Sequence, residues 1–361
     1  MQTLARMRIL YGAVGEGLGH ATRSRVVAEH LLAQGHRVKM AASGRALPYL
    51  REHLPEVEEI WGLSFALEQG RVEAWKTLSV NVRGSLRGVP DDWRRGADVA
   101  SAFAPELVVT DFDAFTYLFA KVHRLAVVSI DNIQMVDRCR HDAEILRGVR
   151  RDYLAARAFV GEKLPRANRY LITTFFHPPV RKKRTMLVPS ILRPEILAAR
   201  PEPGAHLLVY GRVSETSTAA LRASGVPCLV YGARDGLTAD EEDGNLRYRP
   251  FANDPFVDDL RTCRGVVASA GFSLMSEVVY LRKPMLALPL AGQFEQVMNA
   301  RYLERLGYGT AAEALDEASL ERFLGRLPAH AQALAGYEQD GNAETFAVVD
   351  RVLDEVTTAR R

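Results

Sequence analysis

The sequence predicts an α/β protein made of two consecutive parallel-sheet halves, and three observations carry that prediction. Strand-like apolar runs that end in glycine alternate with helical patterns, as they do in βαβ units. The alternation stops at a basic stretch punctuated by prolines, residues 178–203, and then begins again. A length of 361 residues suits two domains of roughly 100 to 200 residues, each able to bury its own core.

In the first half, residues 7–12 read as a strand that runs into glycines. A helical pattern opens near His20, carries Val26, Val27, Leu31 and Leu32 on one face, and closes at Gly35. Residues 36–42 form a second strand, and residues 107–110 and 125–130 form two more with a helix between them. After the proline-rich stretch, residues 206–211, 227–231, 265–268 and 285–288 read as strands, with helices near 218–223, 274–281 and 296–306. The expected division is a domain over 1–185, a connector over 186–203, a domain over 204–340, and a C-terminal helix in 341–361. The segment 67–89 mixes Arg71, Lys76, Arg83 and Arg87 with Val72, Trp75, Leu78, Val80 and Val82. A plain surface helix and a mobile amphipathic lid share that pattern.

Composition excludes several classes. At 47% hydrophobic and 25% charged, the chain can bury enough apolar surface to fold. Its longest uncharged apolar stretches, 265–276 and 284–294, fall short of the ~20 residues that span a bilayer. The N-terminus enters a strand-like run without an apolar h-region, so a cytoplasmic location is expected. Cys139, Cys228 and Cys263 are odd in number and lack Cys-x-x-Cys spacing, which speaks against a disulfide framework or a zinc site.

The first turn reads Gly12-Ala13-Val14-Gly15-Glu16-Gly17-Leu18-Gly19-His20. A dinucleotide fingerprint needs Gly-x-Gly-x-x-Gly and an acidic residue closing the second strand. Here the glycines run Gly15-x-Gly17-x-Gly19 and the second strand closes Lys39-Met40-Ala41-Ala42. No Gly-Lys-Ser/Thr follows, so a P-loop is also excluded. What remains is a glycine loop open to close backbone approach, with a histidine starting a helix. A helix N-terminus disfavours imidazolium, which suits His20 to the part of a neutral general base. A capping or packing histidine is the alternative. Glu16 is either a second candidate base or a solvated loop carboxylate.

The second half carries Phe251, then Ala270-Gly271-Phe272-Ser273-Leu274-Met275-Ser276-Glu277, then Gln293-Phe294-Glu295-Gln296-Val297-Met298-Asn299. Gly271 and Ser273 fall at a strand-to-helix junction, where backbone N–H groups and the helix dipole suit a diphosphate. Glu277, one turn on, suits a ribose diol, and Glu295 and Gln296 suit sugar hydroxyls. Arg212, just past Gly211, is a diphosphate contact or a surface arginine.

With these motifs in place, the chain resembles the inverting, metal-independent GT-B glycosyltransferases, a group that includes the peptidoglycan N-acetylglucosaminyltransferase and the plant and antibiotic glycosyltransferases. The Gly15 to His20 loop, with Gly17 and Gly19, is similar to that group's N-terminal Gly-x-Gly-His loop. The Gly271 to Glu277 stretch, with Ala270 and Phe272, is similar to its diphosphate and ribose motif. Gln293, Glu295, Gln296 and Asn299 are similar to its sugar motif, and Phe251 falls where the group sets an aromatic residue or backbone against the base. Ala270 replaces the first glycine of a frequent Gly-Gly pair, and Glu295 stands where others have Asp or Gln.

The resemblance implies two Rossmann-like domains facing across a cleft and a C-terminal helix that crosses back to the first. It implies transfer of a hexose from UDP-glucose or UDP-N-acetylglucosamine to a hydroxyl, with His20 as base. The UDP-sugar is then a co-substrate, and neither a cofactor nor a metal is expected. Asp111-Phe112-Asp113 is a formal Asp-x-Asp, but it ends a first-half strand far from the diphosphate motif. A structural or acceptor-site role is expected for this pair, with Asp113 also a candidate to orient or assist His20. A UDP-sugar 2-epimerase and a non-catalytic nucleotide-sugar-binding protein are the competing readings. Without aromatic-interleaved basic repeats, nucleic acid is not an expected partner.

The net charge of +3 conceals an asymmetry. Residues 1–185 hold 29 Lys and Arg against 20 acids, net +9, and residues 186–361 hold 18 against 24, net −6. Arg138, Arg140, Arg147, Arg150, Arg151 and the run Arg181-Lys182-Lys183-Arg184 contribute to the basic half. An anionic or lipid-linked acceptor, or peripheral contact with an anionic membrane, is the expectation; ordinary solvated charge is the alternative.

Overall fold

The computed structural model describes residues 6–15, 18–60, 67–68, 71–72 and 91–358. The chain divides into two compact units, Met1–Ile191 with Asp340–Arg361, and Leu192–Gln339.

In the first unit Arg8–Ala13 (β1), Arg37–Ala42 (β2) and Val57–Glu59 (β3) are followed by a separate antiparallel pair, Leu67–Glu68 (β4) and Arg71–Val72 (β5). The rest of the 67–89 segment lies outside the described residues. Leu107–Asp111 (β6), Ala126–Asp131 (β7), Arg169–Thr173 (β8) and Thr185–Val188 (β9) complete a parallel sheet of order β3-β2-β1-β6-β7-β8-β9. β6 and β7 are buried along their whole length. Helices cover both faces of a parallel sheet, so such strands read as unbroken apolar runs.

The Leu18–Ala33 helix lays Ala21, Val26, Val27, Ala28 and Leu31 into this core. The Ala343–Thr358 helix adds Val349, Val352, Leu353 and Val356 to the same core. His30 joins the two helices: its Nε2 lies 2.8 Å from Asp350 Oδ1, and its ring stacks on Phe346 at 4.0 Å. Residues 186–188, expected in the connector, instead belong to β9, which pairs with β8 in parallel. The strand is too short for a clear period, and the cationic run before it masks its start.

The second unit holds Leu207–Tyr210 (β10), Cys228–Tyr231 (β11), Glu241–Asp243 (β12), Leu246–Arg249 (β13), Gly265–Ser269 (β14), Met285–Leu288 (β15) and Gly309–Ala311 (β16). Their order is β12-β13-β11-β10-β14-β15-β16, parallel except between β12 and β13. Leu207, Val209, Val230, Val267 and Leu286 meet Leu320, Phe323 and Leu327 of the Glu317–Ala335 helix in its core. The three cysteines are free and buried. No helix among the described residues is long and apolar enough to cross a membrane.

Each sheet reverses its strand order once, between β1 and β6 and between β10 and β14. Loops on the two sides of such a reversal leave in opposite directions and open a crevice at the carboxyl ends of the strands. Leu353 is fully buried in the first unit. Its replacement by alanine is expected to destabilise that unit by about 2 to 5 kcal/mol, measured as a lowered denaturant midpoint.

Candidate active site

The carboxyl end of β1 lies beside that of β6, with Ala13 paired to Asp111. The Leu18–Ala33 helix begins five residues after β1, which puts His20 in its first turn. His20 Nδ1 lies 2.8 Å from Asp111 Oδ1. Arg23, one turn on, grips the same carboxylate with Nε at 2.9 Å from Oδ2 and Nη2 at 2.7 Å from Oδ1. Ser24 Oγ donates to Oδ2 at 3.3 Å. Asp111 has no solvent exposure, whereas the His20 side chain retains 19%. Burial works against the Asp111 carboxylate, but Arg23 and His20 outweigh it and hold the carboxyl below its ordinary range.

Asp131 closes the neighbouring strand β7, where it accepts from Ser129 Oγ at 2.6 Å and from Gln134 N at 2.8 Å. Its pKa is pushed up to about 6, first by burial and then by the charge of Asp111.

Asp113 does not assist His20. Its Oδ1 accepts from both the backbone N and the Oγ1 of Thr116 at 2.8 Å, capping the Ala114–Val122 helix. Between the two aspartates Phe112 has a φ of 55°, a left-handed conformation that an L-residue adopts only when its surroundings impose it. That residue turns the chain from strand to helix and separates the two carboxylates. Gly12 makes room for the cap, since a Cβ there would lie 2.0 Å from Thr116 Oγ1 and 2.7 Å from Asp113 Oδ1. Burial raises the Asp113 pKa against the bonds from Thr116. An Asp just before an apolar helical run is an N-cap signal, and it distinguishes the two roles in the sequence. Glu16 and Gly17 lie outside the described residues, and Gly19 sits in the first helical turn, its carbonyl accepting from Thr22 Oγ1 at 3.1 Å.

In the second unit the corresponding crevice is bordered by Gly211 after β10 and Ala270-Gly271 after β14. Gly211 has a φ of 122°, which suits glycine. Gly271 is the N-cap of the Phe272–Tyr280 helix and has no side-chain cap bond. A Cβ on Gly271 would meet nothing within 4 Å, so the space beside this helix end is open. Phe272 is buried and Ser273 half-buried. Phe251 is 53% exposed and belongs to an aromatic group with Tyr210 at 6.1 Å, Tyr231 at 6.4 Å and Phe256 at 5.5 Å.

Other donor candidates face elsewhere. Arg212 pairs with Asp235 at 2.9 Å, both side chains about four-fifths in solvent. Glu277 is buried and forked by Arg193, Nε to Oε1 at 2.7 Å and Nη2 to Oε2 at 3.0 Å; burial still raises its pKa against that partner. Each carboxylate oxygen therefore already accepts one N–H. Glu295 and Gln296 lie inside the first turn of the Phe294–Arg305 helix rather than before it. The Gln296 amide is turned inward, accepting from Leu290 N at 3.1 Å and donating to Gln293 Oε1 at 2.6 Å. Asn299, one turn later and fully buried, donates to the Ala270 carbonyl at 3.3 Å. These two amides brace loops and do not present themselves to a sugar. Among the described residues no group of three or more His, Cys, Asp or Glu is placed to share a metal ion.

A model of the family described as glycosyl transferase family 1 matches residues 7–328. The chain belongs to this family. An uncharacterized glycosyltransferase of Methanosarcina acetivorans is 24% identical over 338 residues, covering 84% of this chain and 85% of the relative. The UDP-N-acetylglucosamine–N-acetylmuramyl-(pentapeptide) pyrophosphoryl-undecaprenol N-acetylglucosamine transferase 3 of Bacillus cereus is 31% identical over 126 residues, 32% of this chain and 34% of that protein. Among solved structures, a Polygonum tinctorium UDP-glucosyltransferase capable of glucosylating indoxyl, in complex with 3,4-dichloroaniline, superposes with a TM-score of 0.64 at 16% identity, covering 99% of each chain. The fold of this family 1 glycosyltransferase is therefore GT-B.

Asp131 makes its stability pH-dependent. An unfolded aspartate titrates near 4, so between pH 4 and about 6 the unfolded chain has released a proton that the folded site still holds. The Asp131 contribution is favourable below pH 4 and is lost as pH rises to 6. Asp131→Asn should therefore gain about 2 to 3 kcal/mol on the wild type between those limits, read from urea unfolding at pH 4 and pH 7.

Proposed function

We propose that this glycosyltransferase moves a hexose from a UDP-sugar, UDP-glucose or UDP-N-acetylglucosamine, to a hydroxyl acceptor with inversion and without a divalent metal. The observation that carries the reading is the His20–Asp111 pair. A carboxylate only accepts hydrogen bonds, so the 2.8 Å contact assigns the imidazole proton to Nδ1 and leaves Nε2 basic on a partly exposed ring. Nε2 takes the acceptor's proton as its oxygen bonds to the anomeric carbon, and the bond from that carbon to the diphosphate oxygen breaks. The departing diphosphate gathers negative charge. The positive end of the Phe272–Tyr280 helix, open at Gly271, suits that charge. The UDP preference is supported by the two relatives whose names carry it. An exposed aromatic face at Phe251 suits a base.

The acceptor is proposed to be anionic or lipid-linked. The basic face behind that proposal is smaller than the sequence count: Arg138 is buried with its guanidinium 3.4 Å over the Tyr170 ring, and Arg181 and Lys182 pair with the buried Asp137. Arg140, Arg150, Arg151, Lys183 and Arg184 remain exposed, and Leu154 and Phe159 are exposed on the same Arg150–Lys163 helix. Vesicles rich in anionic lipid should sediment the protein at low salt and release it at high salt, with neutral vesicles as the control.

A mass-spectrometric screen of UDP-sugars against hydroxyl acceptors tests the central reading. His20→Ala should lower kcat by about 10²- to 10⁴-fold, and EDTA should leave turnover unchanged. Near-normal turnover of His20→Ala would overturn the base, and loss of activity with EDTA the metal-free step.

A further inference from the structure

Arg23 lies on the same helix face as His20, three residues on, and is buried to 5% exposure. We infer that Arg23 is a positioning residue, whose guanidinium holds Asp111 ionised and turned so that Oδ1 accepts a hydrogen bond from the Nδ1–H of His20 and Nε2 stays basic. The fork engages both carboxylate oxygens at 2.9 and 2.7 Å, so the carboxylate cannot rotate about its own axis without breaking two charge-assisted bonds. Arg23 Nη2 also lies 3.0 Å from His20 Nδ1. A guanidinium only donates, so that contact needs Nδ1 as acceptor and competes with an Nδ1–H bond to Oδ1; the shorter contacts of Nη2 and Nδ1 to Oδ1, 2.7 and 2.8 Å, favour the arrangement in which both N–H groups share that oxygen.

The same placement limits how strongly Asp111 can attract a second proton to the ring. Among the described residues, the charged and titratable groups next to the His20–Asp111 pair are Arg23 on the His20 helix, Asp131 on β7 and Tyr11 on β1. Arg23 is the cation of that set, and it sits against both members of the pair. Its removal leaves the buried Asp111 carboxylate against the imidazole with no competing cation, which favours proton uptake by the ring.

The inference rests on the reading of His20 as base only for its catalytic consequence, so the test is made without turnover. Long-range proton–nitrogen NMR of the full chain, with the His20→Ala spectrum as assignment, reads the tautomer and the pH of ring protonation directly. The wild type should show the Nδ1-protonated tautomer at alkaline pH. In Arg23→Gln the protonation midpoint should rise by about one pH unit or more, a tenfold gain in proton affinity, and Arg23→Lys should restore it. A merely structural arginine would change stability and leave that midpoint in place. An Nε2-protonated wild type, or an unmoved midpoint in folded Arg23→Gln, overturns the inference. An Nε2-protonated wild type overturns the inference even if Arg23→Gln does not fold. Loss of His20→Ala turnover with an unmoved midpoint would sink the Arg23 role and keep the base, whereas a shifted midpoint with normal His20→Ala turnover would do the reverse.

Discussion

The reversal of strand order in each sheet is the constraint on which the rest of this protein depends. β1 and β6 are distant in sequence but adjacent in the sheet, so the loop after Ala13 and the turn after Asp111 emerge side by side. The loops after β10 and β14 emerge side by side in the same way. No local motif brings His20 to Asp111. A parallel sheet that grows outward from its first strand in both directions does so. Apolar burial along β1, β6 and β7 fixes the register, and the register fixes which polar residue stands at each strand's end.

The fold was legible because buried parallel strands are largely apolar and run into glycine or a polar residue, as β1, β6, β7, β10, β11 and β14 do. β9 and β12 are as short as β10 and β11 but lie in a basic and an acidic neighbourhood, which hides them. His20 was legible from the glycine loop. The sequence pointed to Asp113 as the partner of His20 and the structure gives Asp111: the two stand one residue apart, and only the apolar helical run after Asp113 marks it as an N-cap. Arg23 and Arg193 left no signal of their own, since an arginine at helical spacing or in a connector is most often solvated. Only the finding that each forks a buried carboxylate distinguishes them.

Buried charge in this chain comes in matched sets, which explains why counting residues overstated the basic face. Arg23 pairs with Asp111 and Arg193 with Glu277, while Arg157, Arg181 and Lys182 share the one carboxylate of Asp137. Lys283 is buried too, with its ammonium donating to the carbonyls of Glu202 at 2.7 Å and Cys263 at 2.9 Å. A charge withdrawn from water must find such partners or lose its proton. Each set therefore removes cations from the surface total and adds rigidity where the chain changes direction.

The two units solve different chemical problems with different materials. The crevice of the first is lined by ionisable side chains whose charges are fixed by one another, and the His20 imidazole is the most exposed of His20, Arg23 and Asp111. In the proposed reaction the first moves a proton and the second accommodates a departing anion. Its crevice offers backbone at Gly211 and Gly271, the end of a helix, and an aromatic surface at Phe251. The amides that a sequence motif would assign to a sugar, Gln296 and Asn299, instead hold the loops that carry those backbone groups. A helix end presents the same partial charge whichever residues follow it, so this arrangement tolerates Ala270 in place of glycine as long as its carbonyl remains tied to Asn299.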